Sequence, residues 1–277
     1  QARGDLGVTY AITDKFRISN TFTFDQFNSS GDSDYSEKVV TRLQSTGAAR
    51  PDTFSRTFYY RLNGLKRYTN TIEGDYQFNS RFGINIGYRF SHRKVVEGLF
   101  NQPITPTGTV TFGSDTEENS AHTILFGTKI KPTKDWSIYA DAEHGEADNA
   151  FTRLANYNFT NFRMRSSYNY KQFSFNISGI VKNNENPSFT SAIGLVPASQ
   201  LIANTRSRIF SASFDWVPDP KWTLSSGYTY QYLNSKTNIV VPLAALTPGF
   251  SEFYMRDNYA YFDISARPFD RLSFYAS

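Results

Sequence analysis

From Leu6 to the last residues, apolar and polar side chains alternate with a period of two, broken by short polar turns. Successive strand side chains point to opposite faces, so this pattern builds strands with one apolar and one polar face. Almost no segment places apolar residues at i, i+3 and i+4, which excludes a helical fold. The turns share a signature: a few polar residues, then at once a large apolar side chain. Pro132-Thr133-Lys134-Asp135 leads into Trp136, Thr13-Asp14-Lys15 into Phe16, and Asn79-Ser80-Arg81 into Phe82. Lys171-Gln172 leads into Phe173, and Pro218-Asp219-Pro220-Lys221 into Trp222. The last copy, Pro268-Phe269-Asp270-Arg271, leads into Leu272. Recurrence roughly every 35–70 residues marks a structural repeat.

The two faces differ sharply. After the first turn one face reads Phe16, Ile18, Asn20, Phe22, Phe24 and the other Arg17, Ser19, Thr21, Thr23, Asp25. Tyr60, Leu62, Tyr68, Ile72, Tyr76 and Phe78 likewise oppose Arg61, Asn63, Arg67, Thr69, Thr71, Glu73, Asp75 and Gln77. In a water-soluble sandwich the apolar face packs a core; in a membrane barrel it meets lipid and the polar face lines the lumen. Composition favours the barrel. The chain has 18 Tyr and 25 Phe, yet its mean hydropathy is polar, −0.49. A soluble globule of this length carries longer Leu, Ile and Val runs. No apolar run approaches the roughly 20 residues of a membrane helix.

Zero Cys excludes disulfides and thiolate metal sites, and a formal charge of +4 supports no nucleic-acid partner. The start carries no hydrophobic leader, and the end falls inside an alternating run; both ends are expected to be cut from a longer chain. Alternation predicts about 11–12 strands in one domain over 1–277. Loss of alternation predicts loops near 28–57, 98–119, 149–155, 183–207 and 237–255, with a short helix conceivable over 192–203. Short turns alternating with longer connections describe an antiparallel up-and-down transmembrane β-barrel, with Phe16, Phe82, Trp136, Phe173 and Trp222 in a membrane-interface girdle. Tyr60, Tyr168, Tyr230 and Tyr232 are further girdle candidates. A β-propeller also repeats at about this period, but packs four short strands per repeat where this chain has about two long ones. A soluble sandwich or a lipopolysaccharide-transport-like open sheet is the other alternative.

The alternation, the turn-plus-aromatic starts and the polar loops together resemble bacterial outer-membrane β-barrels of the porin-like kind over nearly the whole chain. The long strands and Arg153-Leu154-Ala155-Asn156-Tyr157-Asn158-Phe159 are similar to large barrels of the MtrB/PioB type, which sheath multihaem cytochromes. The first resemblance implies an outer-membrane location, lipid contact and passage of small polar solutes. The second implies a scaffold around a periplasmic or lumenal cytochrome. A loop-displaying adhesin or receptor is a third expectation.

Few residues suggest chemistry. His92, His122 and His144 have no metal-ligand spacing. His144-Gly145-Glu146-Ala147-Asp148 offers acid and base types without a Ser motif, and Asp32-Ser33-Asp34-Tyr35-Ser36-Glu37 lacks the calcium-loop glycine. No catalytic residue, metal or cofactor is expected. The charges fall on the inferred lumen face: Arg17, Arg61, Arg67, Arg89, Arg93, Lys129, Lys131, Arg163, Arg165, Lys182 and Arg267, against Asp25, Glu73, Asp75, Asp141, Glu143, Asp215 and Asp263. Such charges either pair across strands and stiffen the wall, or leave a basic excess that draws anions; the ladder reading is preferred, with weak anion bias as a by-product.

Overall fold

A computed structural model of the chain describes residues 1–40, 53–106, 108–149, 156–190, 199–242, 246–269 and 272–277. Within these residues every regular element is a strand: β1 (Ala2–Thr13), β2 (Phe16–Val39), β3 (Thr53–Asn79), β4 (Phe82–Thr105), β5 (Thr111–Thr133), β6 (Trp136–Ala147), β7 (Asn158–Tyr170), β8 (Phe173–Thr190), β9 (Ser199–Asp219), β10 (Trp222–Pro242), β11 (Leu246–Phe269) and β12 (Leu272–Ala276). They form one 12-stranded sheet in chain order, β1 and β12 being its two end strands. Each strand thus pairs with its sequence neighbours, the up-and-down arrangement expected of alternating segments joined by tight turns.

Phe16, Phe82, Trp136, Phe173 and Trp222 are each the first residue of an even-numbered strand. The turns before them are closed by local side-chain bonds. Thr13 Oγ1 accepts from the amides of Lys15 and Phe16 at 3.2 and 3.0 Å. Asn79 Oδ1 does the same for Arg81 and Phe82, at 2.8 and 3.0 Å. Asp219 Oδ1 accepts from Lys221 N at 2.6 Å. Short polar side chains that bond the backbone two or three residues on replace the ladder bonds a reversing chain loses. Lys171 supplies a positive φ of 53°, which a two-residue hairpin turn needs. The turns are also tied to one another. The carbonyls of Lys15, Arg81, Asp135, Gln172 and Lys221 accept from the amides of Gln77, Lys131, Asn169, Val217 and Arg267, one strand further on, at 2.6–2.9 Å. Five turns therefore lie along one edge, stitched by one repeated bond. Asp270 and Arg271 of the sixth copy lie outside the described residues.

The strands run further than alternation indicated. β2 continues to Val39 and β3 begins at Thr53, β4 reaches Thr105, β5 begins at Thr111, β8 reaches Thr190 and β9 begins at Ser199. β10 and β11 extend to Pro242 and from Leu246, so the predicted loops are largely strand. Backbone pairing holds these ends, with Asn186 opposite Ala203 and Thr237 opposite Ser251. A ladder needs amides and carbonyls, not apolar side chains, and alternation is silent where both faces are polar. The helix conceivable over 192–203 is not formed in its described part, Ser199–Ala203, which is strand.

The chain divides into two compact units. The first comprises Gln1–Leu6, Phe22–Thr69 and His92–Asn119. It is held by exposed ion pairs, Arg56–Asp34 at 2.5 Å and Lys94–Glu118 at 2.6 Å, and by Arg67–Asp25 at 3.0 Å. The Arg56 hydrogen bond holds the Asp34 carboxyl below its ordinary value, and Lys94 does the same for Glu118. Asp34, in the stretch with calcium-ligand residue types, is thus engaged by a guanidinium. Phe58, Phe100 and Phe112 form an aromatic chain, with centroids 6.3 and 5.1 Å apart.

The second unit, Gly7–Thr21, Asn70–Ser91 and Ser120–Ser277, contains all five stitched turns. Its pairing register aligns like with like. One row reads Ile130, Ile138, Ser166, Ile177, Ala212, Tyr228, Ala260, and the next position along reads Lys129, Tyr139, Arg165, Ser178, Ser211, Thr229, Tyr259. Among the described residues nothing packs over the apolar face. Ile177, Phe210 and Phe262 are 52%, 46% and 53% exposed, and Ile124, Phe126, Phe162, Phe175 and Tyr228 are exposed beside them. Among the described residues the buried hydrophobics are only Ala147, Phe159, Ala203 and Ala266. Fully burying such a side chain is worth about 1.5–3 kcal/mol; these eight are about half covered, so leaving them in water forgoes on the order of 10 kcal/mol, comparable with the stability of an ordinary domain. Water is the wrong solvent for that face.

Where the sheet lacks side chains, aromatics from the next strand fill in. Phe159 covers Gly145 opposite it, Tyr261 covers Gly227, and Phe210 covers Gly179. A Cβ on Gly145 would lie 2.6 Å from the Phe159 ring and 2.7 Å from Thr123 Oγ1. Glycine is required at that position so that the ring can lie flat on the backbone.

Candidate functional site

The polar face of the second unit is the candidate site. Three adjoining clefts line it and share Asp141. The one nearest the turns brings Arg17, Asp75, Lys129 and Asp141 together beside Lys15 and Asn85. The second gathers Glu73, Arg89, Asp141, Glu143 and Arg163. The third holds Asp141, Arg163 and Arg165 on a floor of serines, Ser178 and Ser211 among them. Charges far apart in sequence meet because each hairpin moves the chain sideways by one strand while keeping its face.

The pairing expected across strands is partial. Arg89 Nη2 donates to Glu143 Oε2 at 2.6 Å, and Asn161 Nδ2 donates to Glu143 Oε1 at 2.7 Å, which fills both oxygens of a half-buried carboxylate. Ser225 Oγ donates to Asp215 Oδ1 at 2.7 Å, and the Tyr275 hydroxyl to Asp263 Oδ1 at 3.0 Å. Lys129 Nζ stands 5.5 Å from the centroid of the Tyr139 ring. Arg163 lies opposite Asp141 in register, yet among the described residues neither Arg163 nor Arg165 closes an ion pair. Lys182 pairs in register with Asn161 and Ser207, again on the polar side. Lys131 and Arg267 sit by the turns, where their amides make the stitching bonds. Arg61, Arg93, Asp25 and Arg67 belong to the first unit.

The five aromatics expected in a girdle all stand at strand starts along the turn edge. Trp136 meets Tyr168 edge-on with centroids 6.4 Å apart, and its Nε1 donates to Ser166 Oγ at 2.9 Å. Phe173 stacks on Trp216 at 6.1 Å and Phe82 on Phe78 at 4.9 Å, while Phe16 meets Tyr76 at 6.3 Å. Beyond the far end of the apolar stretch this face turns polar: Thr160, Asn183, Arg206 and Asn234 occupy one register row. On β10 the apolar stretch therefore runs from Trp222 to Tyr232. It matches the ~9–11 residues with which a strand crosses a bilayer.

His144 Nδ1 lies 2.9 Å from Thr160 Oγ1, and Asp148 Oδ1 accepts from Ser120 N at 2.7 Å. His122 Nδ1 meets the Tyr88 hydroxyl at 2.5 Å. Among the described residues no three His, Asp or Glu side chains gather as a metal site. Sequence reasoning missed the serine floor and the partner of Lys129, since Ser and Tyr139 looked like filler on the polar side. Their only signal was position: Tyr139, Ser178 and Ser211 share the parity of the charged residues.

No protein-family model matches the chain, and no curated protein matches it. Several solved structures align with the chain. FpvA of Pseudomonas aeruginosa, bound to heterologous pyoverdine, aligns over 98% of this chain and 50% of that one, at 8% identity and TM-score 0.45. The ferric yersiniabactin uptake receptor FyuA from Yersinia pestis aligns over 99% and 43%, at 8% identity and TM-score 0.37. The ferripyoverdine receptor of the outer membrane of Pseudomonas aeruginosa aligns over 93% and 50%, at 8% identity and TM-score 0.34. The chain spans half or less of the length of these structures. A likeness of this degree assigns no activity, ligand or partner to it.

Proposed function

We propose that this chain is wall of a bacterial outer-membrane β-barrel whose polar face lines a water-filled path for small polar solutes. The observation that carries the reading is the segregation of the two faces. An unpacked apolar face one bilayer deep, edged by Trp and Tyr, is suited to lipid, and a charged, hydroxyl-rich face is suited to water. Passage along such a wall requires no catalytic group: polar side chains replace part of a solute's hydration as it moves. The full-length protein, purified and added to planar bilayers, is expected to give discrete conductance steps. A folded preparation that stays silent under every ionic condition sinks the passive reading.

A second reading, uptake of a ligand first captured at the strand ends, is favoured by one feature. β10 and β11 continue beyond Tyr232 and Arg256 as paired strands, more chain than crossing requires. Under it, shortening β10 and β11 symmetrically beyond Lys236 and Glu252 abolishes ligand capture and leaves the membrane-embedded part intact. Unchanged capture after that deletion overturns it. Co-purification of a haem protein with the full-length chain would replace both readings with a cytochrome sheath.

A further inference from the structure

We propose that the polar face of β6–β9 carries a binding site for a small hydroxylated organic anion, a sugar acid or its like, with Arg163 and Arg165 as the charge contacts. The inference rests on the reading of this face as solvent-filled, and it names the solute class that the path would favour.

The cleft is about 550 Å³, within the range of small-molecule sites. Arg163 and Arg165 are two residues apart on β7, hence on one face and about 7 Å apart along the strand. Several carboxylates on this face are engaged locally: Arg89 and Asn161 each donate to an oxygen of Glu143, and Asp215 and Asp263 have hydroxyl donors. Arg163 also borders the neighbouring cleft that holds Glu73 and Glu143. Within this cleft's own lining, Arg163 and Arg165 stand against one carboxylate, Asp141, and among the described residues neither guanidinium closes an ion pair, so the lining carries one more positive than negative charge. Lys129, held over the Tyr139 ring one strand away, adds to it. A guanidinium presents a planar fork that fits a carboxylate or phosphate two-pronged, which lysine does not.

The rest of the cleft selects among anions. Arg165 is flanked in register by Tyr139 and Ser178, and the row continues through Ser211 to Thr229. Ser211 Oγ and Thr229 Oγ1 lie 3.0 Å apart, so these hydroxyls already act as a chain. Hydroxyls both donate and accept, and a row of them at strand spacing complements a solute with several hydroxyls of its own. An inorganic anion would use the two arginines and leave the row to water. A neutral sugar would use the row and leave the arginines unmatched. A hydroxylated organic anion uses both.

The test is titration calorimetry on the full-length protein in detergent micelles, with gluconate as probe and glucose and inorganic phosphate as comparisons. Gluconate is expected to saturate at least about tenfold more tightly than either. Arg163→Gln with Arg165→Gln should reduce gluconate affinity to that for glucose. Ser178→Ala with Ser211→Ala should reduce it to that for phosphate. Arg256→Gln, on the other face, should change neither. Equal affinity for gluconate and glucose overturns the charge contact, and equal affinity for gluconate and phosphate overturns the hydroxyl row. If the double arginine variant fails to fold, Arg165→Lys decides: full gluconate affinity in that variant overturns the two-pronged contact. Conductance separates this proposal from the reading it rests on. Gluconate binding in a non-conducting protein retains the site and removes the pore; conduction without gluconate preference at the site does the reverse.

Discussion

At the scale of single residues, the sheet depends on positions where a side chain is missing. Gly145 sits under Phe159, one of the few buried hydrophobics, and a Cβ there would meet the ring and Thr123 at well under contact distance. Both neighbours are part of the paired sheet, so the ring must swing away. Gly145→Val is expected to destabilise the protein by about 1–3 kcal/mol, the ordinary cost of overpacking. The change is read from the guanidinium midpoint of unfolding in detergent. Gly4, with nothing near its would-be Cβ, should tolerate the same change. Nothing in the sequence around either glycine tells which of them lies under a neighbouring ring. Trp136 is the contrary case: its place at a strand start after a polar turn was legible, and only its Nε1 bond to Ser166 was not.

At the scale of the strand, adjacent residues live in different solvents. Ala212 belongs to the row with Ile177 and Tyr228, whereas Ser213 pairs with Asn176 and Gly227 on the other face. Arg on a lipid face costs about 2–4 kcal/mol at the midplane, falling toward the interfaces. Ala212→Arg is therefore expected to lower refolding stability in phospholipid vesicles by about that amount, and Ser213→Arg by less than about 0.5 kcal/mol, the size of an ordinary surface change. Equal penalties at the two positions would overturn the assignment of faces. Strand identity, order and the first residue of each strand that follows a tight turn were readable because turn chemistry and alternation act locally. The far ends of the strands were not: the sequence from Asn234 to Pro242 does not alternate, and the pairing that holds the chain there with residues 246–254 is long-range information.

At the scale of the molecule, the absence of cysteine makes the solvent of each face measurable. A nitroxide carried by a single cysteine at Phe126, Phe162, Phe210 or Tyr228, in bilayers, is expected to relax faster with oxygen than with a water-soluble nickel complex. Labels at Leu125, Asn161, Ile209 and Thr229, on the opposite parity, should show the reverse preference. A pattern without that alternation would mean that neither face meets lipid. The measurement addresses location directly and needs no knowledge of the solute.

Period-two alternation, tight polar turns and the aromatic that follows each one sufficed for an all-β meander of about this many strands, because these features act between near neighbours. Which charges meet was decided only in three dimensions. Arg89 reaches Glu143 while Arg163, directly opposite Asp141, stays without an ion pair. Nothing in the composition of β6 or β7 separates the two cases. They are set by inter-strand register and by Asn161, which helps Arg89 fill both oxygens of Glu143. The same register lays the serines of β8 and β9 beside Arg163 and Arg165 of β7, and so turns a generic polar face into a particular cleft.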